Sequence, residues 1–262
     1  MVFSAYNPLY SVVGLLVGVL VGLTGVGGGS LMTPLLVLLF NFHPATAVGT
    51  DLLYASVTKS VGTVVHGRLK TVDWRIVSRL ASGSLPAAAL TLLAMRRFGT
   101  LDKHASATLN LLLGATLIMT SATIIFRTQI LAWAEPRMRE LPDRSIARMT
   151  VITGAVLGVL VSITSVGAGA LGVTALLMLY PKLPVARIAG SDIAHAVPLT
   201  LLAGLGHLWM GTVDIGLMLA LLVGSIPGII IGSLLGGRSS DKVLRPVLAG
   251  VLLLVGGRLL HV

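Results

Sequence analysis

Gly22-Leu23-Thr24-Gly25-Val26-Gly27-Gly28-Gly29-Ser30 places Gly25, Gly27, Gly28 and Gly29 inside an otherwise apolar segment. Apolar residues flank the run from Tyr10 to Leu23 and from Leu31 to Phe40. Neither flank reaches the roughly 20 residues that a straight helix needs to cross a bilayer. A mid-helix glycine costs about 1 kcal/mol relative to alanine, so four together predict a break. The expected local structure is a helix that stops near Thr24, an unwound turn, and a second short helix starting near Ser30. Irregular backbone survives at membrane depth only where protein buries it or where it lines a polar cavity. The same device returns downstream as Ile163-Thr164-Ser165-Val166-Gly167-Ala168-Gly169-Ala170.

Composition agrees with a membrane setting. The chain has 262 residues, 55% of them hydrophobic and 11% charged, with a mean hydropathy of +0.97. That profile predicts a polytopic all-α membrane protein with the lipid bilayer as its first partner. No cysteine is present, so disulfides play no part. The first ten residues carry no Lys or Arg, which argues against a conventional signal peptide. A net charge of +10 raises nucleic acid as a partner, but the bases sit in short loops between apolar runs. Positive-inside topology accounts for them, and no nucleic-acid partner is expected.

Ten apolar segments are readable, at about 8–24, 30–41, 44–66, 73–95 and 103–126, then 149–164, 169–180, 184–207, 214–235 and 241–260. This divides the chain into a first transmembrane repeat over 1–126, a basic cytoplasmic connector over 127–148, and a second repeat over 149–262. Thr24, Gly27 and Gly29 align with Thr164, Gly167 and Gly169. After a one-residue slip, Gly49-Thr50-Asp51 aligns with Gly190-Ser191-Asp192, and His66, Asp73, Gly83 and Pro86 fall on His207, Asp214, Gly224 and Pro227. One register holding that many unlike residues indicates an internal duplication.

Five segments per repeat, an odd number, invert the second copy. With the loop after segment three cytoplasmic, the inside collects Arg68, Lys70, Arg75 and Arg79, the connector arginines, Lys182 and Arg187, then Arg238, Lys242 and Arg245. The outside keeps Arg96, Arg97, Lys103 and Arg258. The equivalent loop of the second half, Leu208 to Val213, has no base. This asymmetry predicts inverted repeats in the cytoplasmic membrane with both termini outside.

Inverted repeats with broken helices point to a transporter whose two breaks meet near the midplane. The first turn of a helix leaves N–H groups free and carries partial positive charge, which suits an anion. The candidate substrate-binding set is therefore Thr24, Gly25, Gly27, Gly28, Gly29 and Ser30 with Thr164, Ser165, Gly167 and Gly169. Lys59 joins it, since a lysine at bilayer depth costs about 3 kcal/mol unless paired or hydrated. Its repeat counterpart is uncharged Thr200, so one cation serves a symmetric frame. Asp51, Asp192 or the substrate itself could be its partner. Gly14, Gly18 and Gly22 are spaced for helix packing instead.

Asp51, Asp192, His66, His195 and His207 form a coupling or gating set. The aspartates can cap a local break, carry a coupling proton, or satisfy N–H groups of the opposite repeat. His66 and His207 can gate, relay protons or make interfacial hydrogen bonds, and His195 stands one turn after Asp192, ready to pair with it. Asp73 and Asp214 are expected to be helix N-caps. Metal-ligand spacing is absent, no catalytic constellation appears, and no nucleotide motif follows a strand, so neither metal, cofactor nor enzymatic activity is expected.

At these residues the sequence resembles the TauE/SafE sulfite-exporter family. The match lies in Gly25-Val-Gly-Gly-Gly-Ser30, Gly49-Thr-Asp-Leu52 with Thr58-Lys59 and His66, Val72-Asp-Trp74, Gly190-Ser-Asp-Ile-Ala-His195, Gly206-His207 and Gly224-Ser-Ile-Pro-Gly228. The resemblance implies export or uptake of sulfite, sulfonates and related anions, coupled to a proton or ion gradient. Gly28/Ala168, Ser30/Ala170 and Lys59/Thr200 depart from repeat symmetry. The resulting expectation is a secondary transporter of small sulfur-containing anions, such as sulfite or sulfoacetate, working by alternating access. A passive anion channel is the alternative, and a homo-oligomer is compatible with either.

Overall fold

Away from water each backbone N–H and C=O must find a partner within the chain, which favours helices; every regular element among the described residues is helical. The computed structural model describes residues 8–24, 31–98, 103–236 and 241–261. The first half supplies α1 (Pro8–Thr24), α2 (Met32–Phe40), α3 (Pro44–Arg68), α4 (Trp74–Phe98) and α5 (Lys103–Ile125). A connecting helix, α6 (Arg127–Arg139), follows. The second half supplies α7 (Asp143–Thr164), α8 (Ala170–Leu179), α9 (Val185–Trp209), α10 (Ile215–Gly236) and α11 (Asp241–Leu259).

Stretches of five of these, in α4, α5, α7, α9 and α10, are long and apolar enough to cross a membrane. The short helices are different. At 9 and 10 residues, α2 and α8 rise only about 14–15 Å, half of a bilayer core. Each doubles back beside the helix before it. The Tyr10 ring of α1 meets Phe40, the last residue of α2, at 5.0 Å and Phe42, just beyond it, at 6.0 Å. In the second half the Tyr180 hydroxyl, just past α8, lies 2.8 Å from Thr150 of α7.

Glycines set the long contacts. Gly14 and Gly18 of α1 lie on the backbone of Leu221 and Ser225 of α10, while Gly154 and Gly158 of α7 lie on Leu80 and Ser84 of α4. Any side chain there would run into main-chain carbonyls, so Gly14 and Gly18 are packing glycines, as their spacing predicts. The α3 helix crosses α9, with Gly204 against Leu53 and Gly62 against Ile193. Likewise α5 crosses α11 at Gly114 and Gly256. Residue numbers rise along one partner as they fall along the other, so both crossings are antiparallel.

The ends of α4 and α9 are tied twice. Arg187 approaches Asp73 at 3.6 Å, and at the other end the Arg96 guanidinium stacks 3.4 Å from the Trp209 ring centre. Asp73 and Asp214 do cap their helices: Asp73 Oδ1 accepts the Arg75 N–H at 3.1 Å, and Asp214 Oδ1 accepts the Leu217 N–H at 2.9 Å. The α7 helix starts at Asp143, ahead of the apolar pattern's start near 149. Its first turns carry Arg144 and Arg148, both exposed, so hydropathy alone misses them.

Candidate functional site

In the second half the glycine break forms the expected unwound turn. The Thr164 hydroxyl donates back to the Leu160 carbonyl at 2.7 Å and accepts the Val166 N–H at 3.2 Å, which ends α7. Ser165 then turns left-handed at φ 57°, and Gly167 and Gly169 take φ 126° and 136°. Side chains rarely adopt such values, so glycine is required at both positions. The turn is buried throughout, as irregular backbone at membrane depth must be. Val166 packs into a cluster with Val17, Leu31, Met32 and Leu36, so the second break rests on the first hairpin. Of the first-half candidates, Thr24 is described as the last residue of α1. Gly25, Gly27, Gly28, Gly29 and Ser30 lie outside the described residues.

Lys59 sits in α3 with 8% of its surface exposed. Its ammonium donates to the Ala168 carbonyl, inside the second break, at 3.1 Å. Asp51 and Asp192 are both within its electrostatic reach, yet neither is among the described ion pairs. Its nearest partner is therefore a carbonyl freed by the unwound turn, an option the sequence does not advertise.

Asp51 caps the first turn of α2. Its Oδ2 accepts the Thr33 hydroxyl at 2.5 Å and the Thr33 N–H at 3.2 Å, in the first turn of α2. Ser165 of the second break lies beside the same carboxyl. Asp192 faces α8 in the matching way, with Oδ1 against Gly172, where a Cβ would strike it. Oδ1 of each aspartate is buried without a hydrogen-bond partner.

The expected pairing of Asp192 with His195 does not form. Asp192 faces α8, while His195 Nε2 meets the Ser84 hydroxyl of α4 at 2.8 Å. One turn of helix separates the two residues, but different neighbours claim them. His66 and His207 share one motif, with Nδ1 at 2.8 Å from Thr71 and 2.9 Å from Thr212. His207 is fully buried and also reaches the Ser162 carbonyl at 2.9 Å. Nε2 must donate there, which leaves Nδ1 as the acceptor in the neutral ring. His207 thus ties α9 to α7 rather than lying at an exposed interface.

Two further links exchange between the halves: the Asp73 N–H donates to Ser191 at 2.8 Å, and the Asp214 N–H donates to Thr50 at 3.0 Å. Sequence reasoning passed over Thr33, Ser84, Tyr54 and Ser225. For three of them a signal existed, because the register that sets Asp51 on Asp192 also sets Tyr54 on His195 and Ser84 on Ser225. Tyr54, fully buried, stands near Ser225, but neither hydroxyl has a hydrogen-bond partner among the described residues, unlike His195 and Ser84.

A family model described as sulfite exporter TauE/SafE matches residues 10–259, which takes in both breaks, Lys59 and both aspartates. The chain belongs to the TauE/SafE family. Among relatives of this TauE/SafE chain, a probable membrane transporter protein of Bacillus subtilis, YjnA, is 40% identical over 248 residues, covering 94% of this chain and 97% of the relative. A probable membrane transporter protein of Methanocaldococcus jannaschii is 26% identical over 270 residues, covering 97% and 95%. A second Bacillus subtilis protein so named, YdhB, is 28% identical over 249 residues, covering 91% and 96%. No solved structure matches the chain. This TauE/SafE protein is a membrane transporter, not an enzyme.

Proposed function

We propose that this protein is a secondary transporter of small sulfur-containing anions such as sulfite or sulfoacetate. It works across the cytoplasmic membrane by alternating access around the two broken-helix hairpins. The observation that carries the reading is Lys59, a buried cation held by a turn carbonyl at 3.1 Å and available to an arriving anion. Two inverted repeats supply the frame. In support, the contacts exchange in pairs: α1 on α10 with α7 on α4, and Thr50 to Asp214 with Ser191 to Asp73. The α3–α9 and α5–α11 crossings pair each helix with its own counterpart. Loop bases collect at the end holding Arg68, Arg79 and Lys182, which faces the cytoplasm on this reading, with both termini outside.

Charge balance gives the coupling. Lys59 can offset one buried carboxylate, and Asp51 and Asp192 make two. The empty site is balanced when one of them carries a proton or a small cation. An anion that takes over Lys59 removes the offset, so the other carboxyl must be neutralised as well. Anion binding and proton or cation binding then proceed together.

Uptake of labelled sulfoacetate, sulfite, sulfate and thiosulfate into proteoliposomes under an imposed pH or sodium gradient tests the reading. The expected result is accumulation of at least one of these anions above its outside concentration, lost when the gradient is collapsed. Equilibration alone, with no uphill phase under either gradient, makes the protein a passive anion channel.

A further inference from the structure

The basic end of the molecule holds a cavity of about 310 Å³, and Lys59 is not part of its lining. The start of α4, the end of α6, the start of α7 and the residues after α8 enclose it. Its charged lining is Arg75, Arg79, Arg139, Lys182, Asp73 and Asp143.

Most of that charge is already matched. The Arg79 guanidinium grips Asp143 with two bonds, at 3.2 and 2.7 Å, and its Nη1 reaches the Tyr180 hydroxyl at 3.3 Å. Arg139 pairs with Glu135 at 2.7 Å, and Asp73 is occupied by its cap bond and by Arg187. Arg75 and Lys182 remain: neither is among the described ion pairs, and Arg75 acts on Asp143, already held by Arg79, only as a more distant charge. Arg75 also stands in the first turn of α4, where the helix dipole disfavours a cation and favours an anion. Repeat symmetry does not dictate this placement. In the register that sets Asp51 on Asp192, the counterparts of Arg75 and Lys182 are Gly216 and Asn41.

We infer that this cavity binds a phosphate oxyanion, presented by an anionic phospholipid headgroup or by free phosphate, with Arg75 and Lys182 as its charge partners. Basic pockets among transmembrane helices at the cytoplasmic face are suited to such groups. A bound phosphate would bridge α4 to the segment that follows α8, holding the second hairpin against the bundle.

Native mass spectrometry of the full chain with phosphatidylglycerol tests this, using Arg75→Gln/Lys182→Gln against the control Arg68→Gln/Arg148→Gln. The control removes the same charge from the same end, outside the cavity. All four side chains are exposed, so folding is expected to survive in both. The cavity variant should bind phosphatidylglycerol about 10- to 30-fold more weakly, and the control should stay within about twofold. A second arm measures thermal unfolding in inorganic phosphate against chloride at equal ionic strength. A stabilisation confined to proteins retaining Arg75 and Lys182, without selective lipid binding, identifies free phosphate as the source. Equal losses in both variants, or no selective effect in either arm, overturn the inference.

Discussion

Asp51 and Asp192 hold matching positions in the two halves, and each aims its carboxyl at the first turn of the short helix beside it. Among the described residues only Asp51 finds donors there, the hydroxyl and N–H of Thr33. In the register of the two glycine breaks, Thr33 falls on Val173, which has no hydroxyl to offer. Asp192 instead meets Gly172 with a bare Oδ1. The same fold therefore makes one carboxylate an anchor and leaves the other poorly solvated. A buried carboxylate without donors is costly unless it is paired or protonated. On the transport reading, Asp192 is the carboxyl already neutral in the empty site, and Asp51, which holds α2 in place and is offset by Lys59, is the one neutralised when the anion binds.

Stability measurements can break that contrast. Asp51→Ala strands the Thr33 N–H and removes two hydrogen bonds to a charged acceptor, for an expected loss of about 2–3 kcal/mol. Asp192→Ala removes a carboxyl whose Oδ1 has no donor among the described residues and should cost less than about 1 kcal/mol. Thermal unfolding in detergent reads both, and equal losses would erase the distinction between them.

Gly172→Ala should cost about 1–3 kcal/mol, because its methyl meets the Asp192 carboxyl. Most of that cost should vanish when Asp192→Ala is present, as a coupling in the double-mutant cycle. Additive losses would mean that Asp192 does not face α8. A further small change is expected from making the first half resemble the second. Thr33→Val should cost about 1 kcal/mol, and Thr33→Ser should recover most of it. A Thr33→Val protein as stable as the parent would mean the hydroxyl bond to Asp51 contributes little.

The helices and the second break were legible because their signals are local. Glycine content and hydropathy place the start of α1 near Pro8, the end of α7 near Thr164 and the start of α8 within a residue of Ala170, and the burial of Lys59 follows from the length of its apolar segment. Side-chain partners were not legible, because a third element decides them. His195 and Asp192 are neighbours on one helix, yet α4 takes one and α8 the other. Thr33 is a lone hydroxyl in an apolar run, and only the return of α2 past α3 gives it Asp51. The Ala168 carbonyl has no sequence signature at all; it becomes an acceptor because Gly167 and Gly169 unwind the backbone around it.

The central claim is that Lys59 is the counter-ion of the transported anion. Lys59→Met removes a buried charge and keeps the apolar stem; its hydrogen-bond partner is the Ala168 carbonyl, and a proton taken up by the carboxylate it offsets keeps the site neutral, so the fold should persist with little change in thermal stability. Affinity for the anion that the parent transports should fall by about 10- to 150-fold, the loss of a charge-assisted hydrogen bond worth roughly 1.5–3 kcal/mol. Isothermal titration of that anion into parent and Lys59→Met protein, with melting curves on the same samples, measures both quantities. Unchanged affinity with a lowered melting temperature would contradict the account and make Lys59 a structural partner of Asp51 and Asp192.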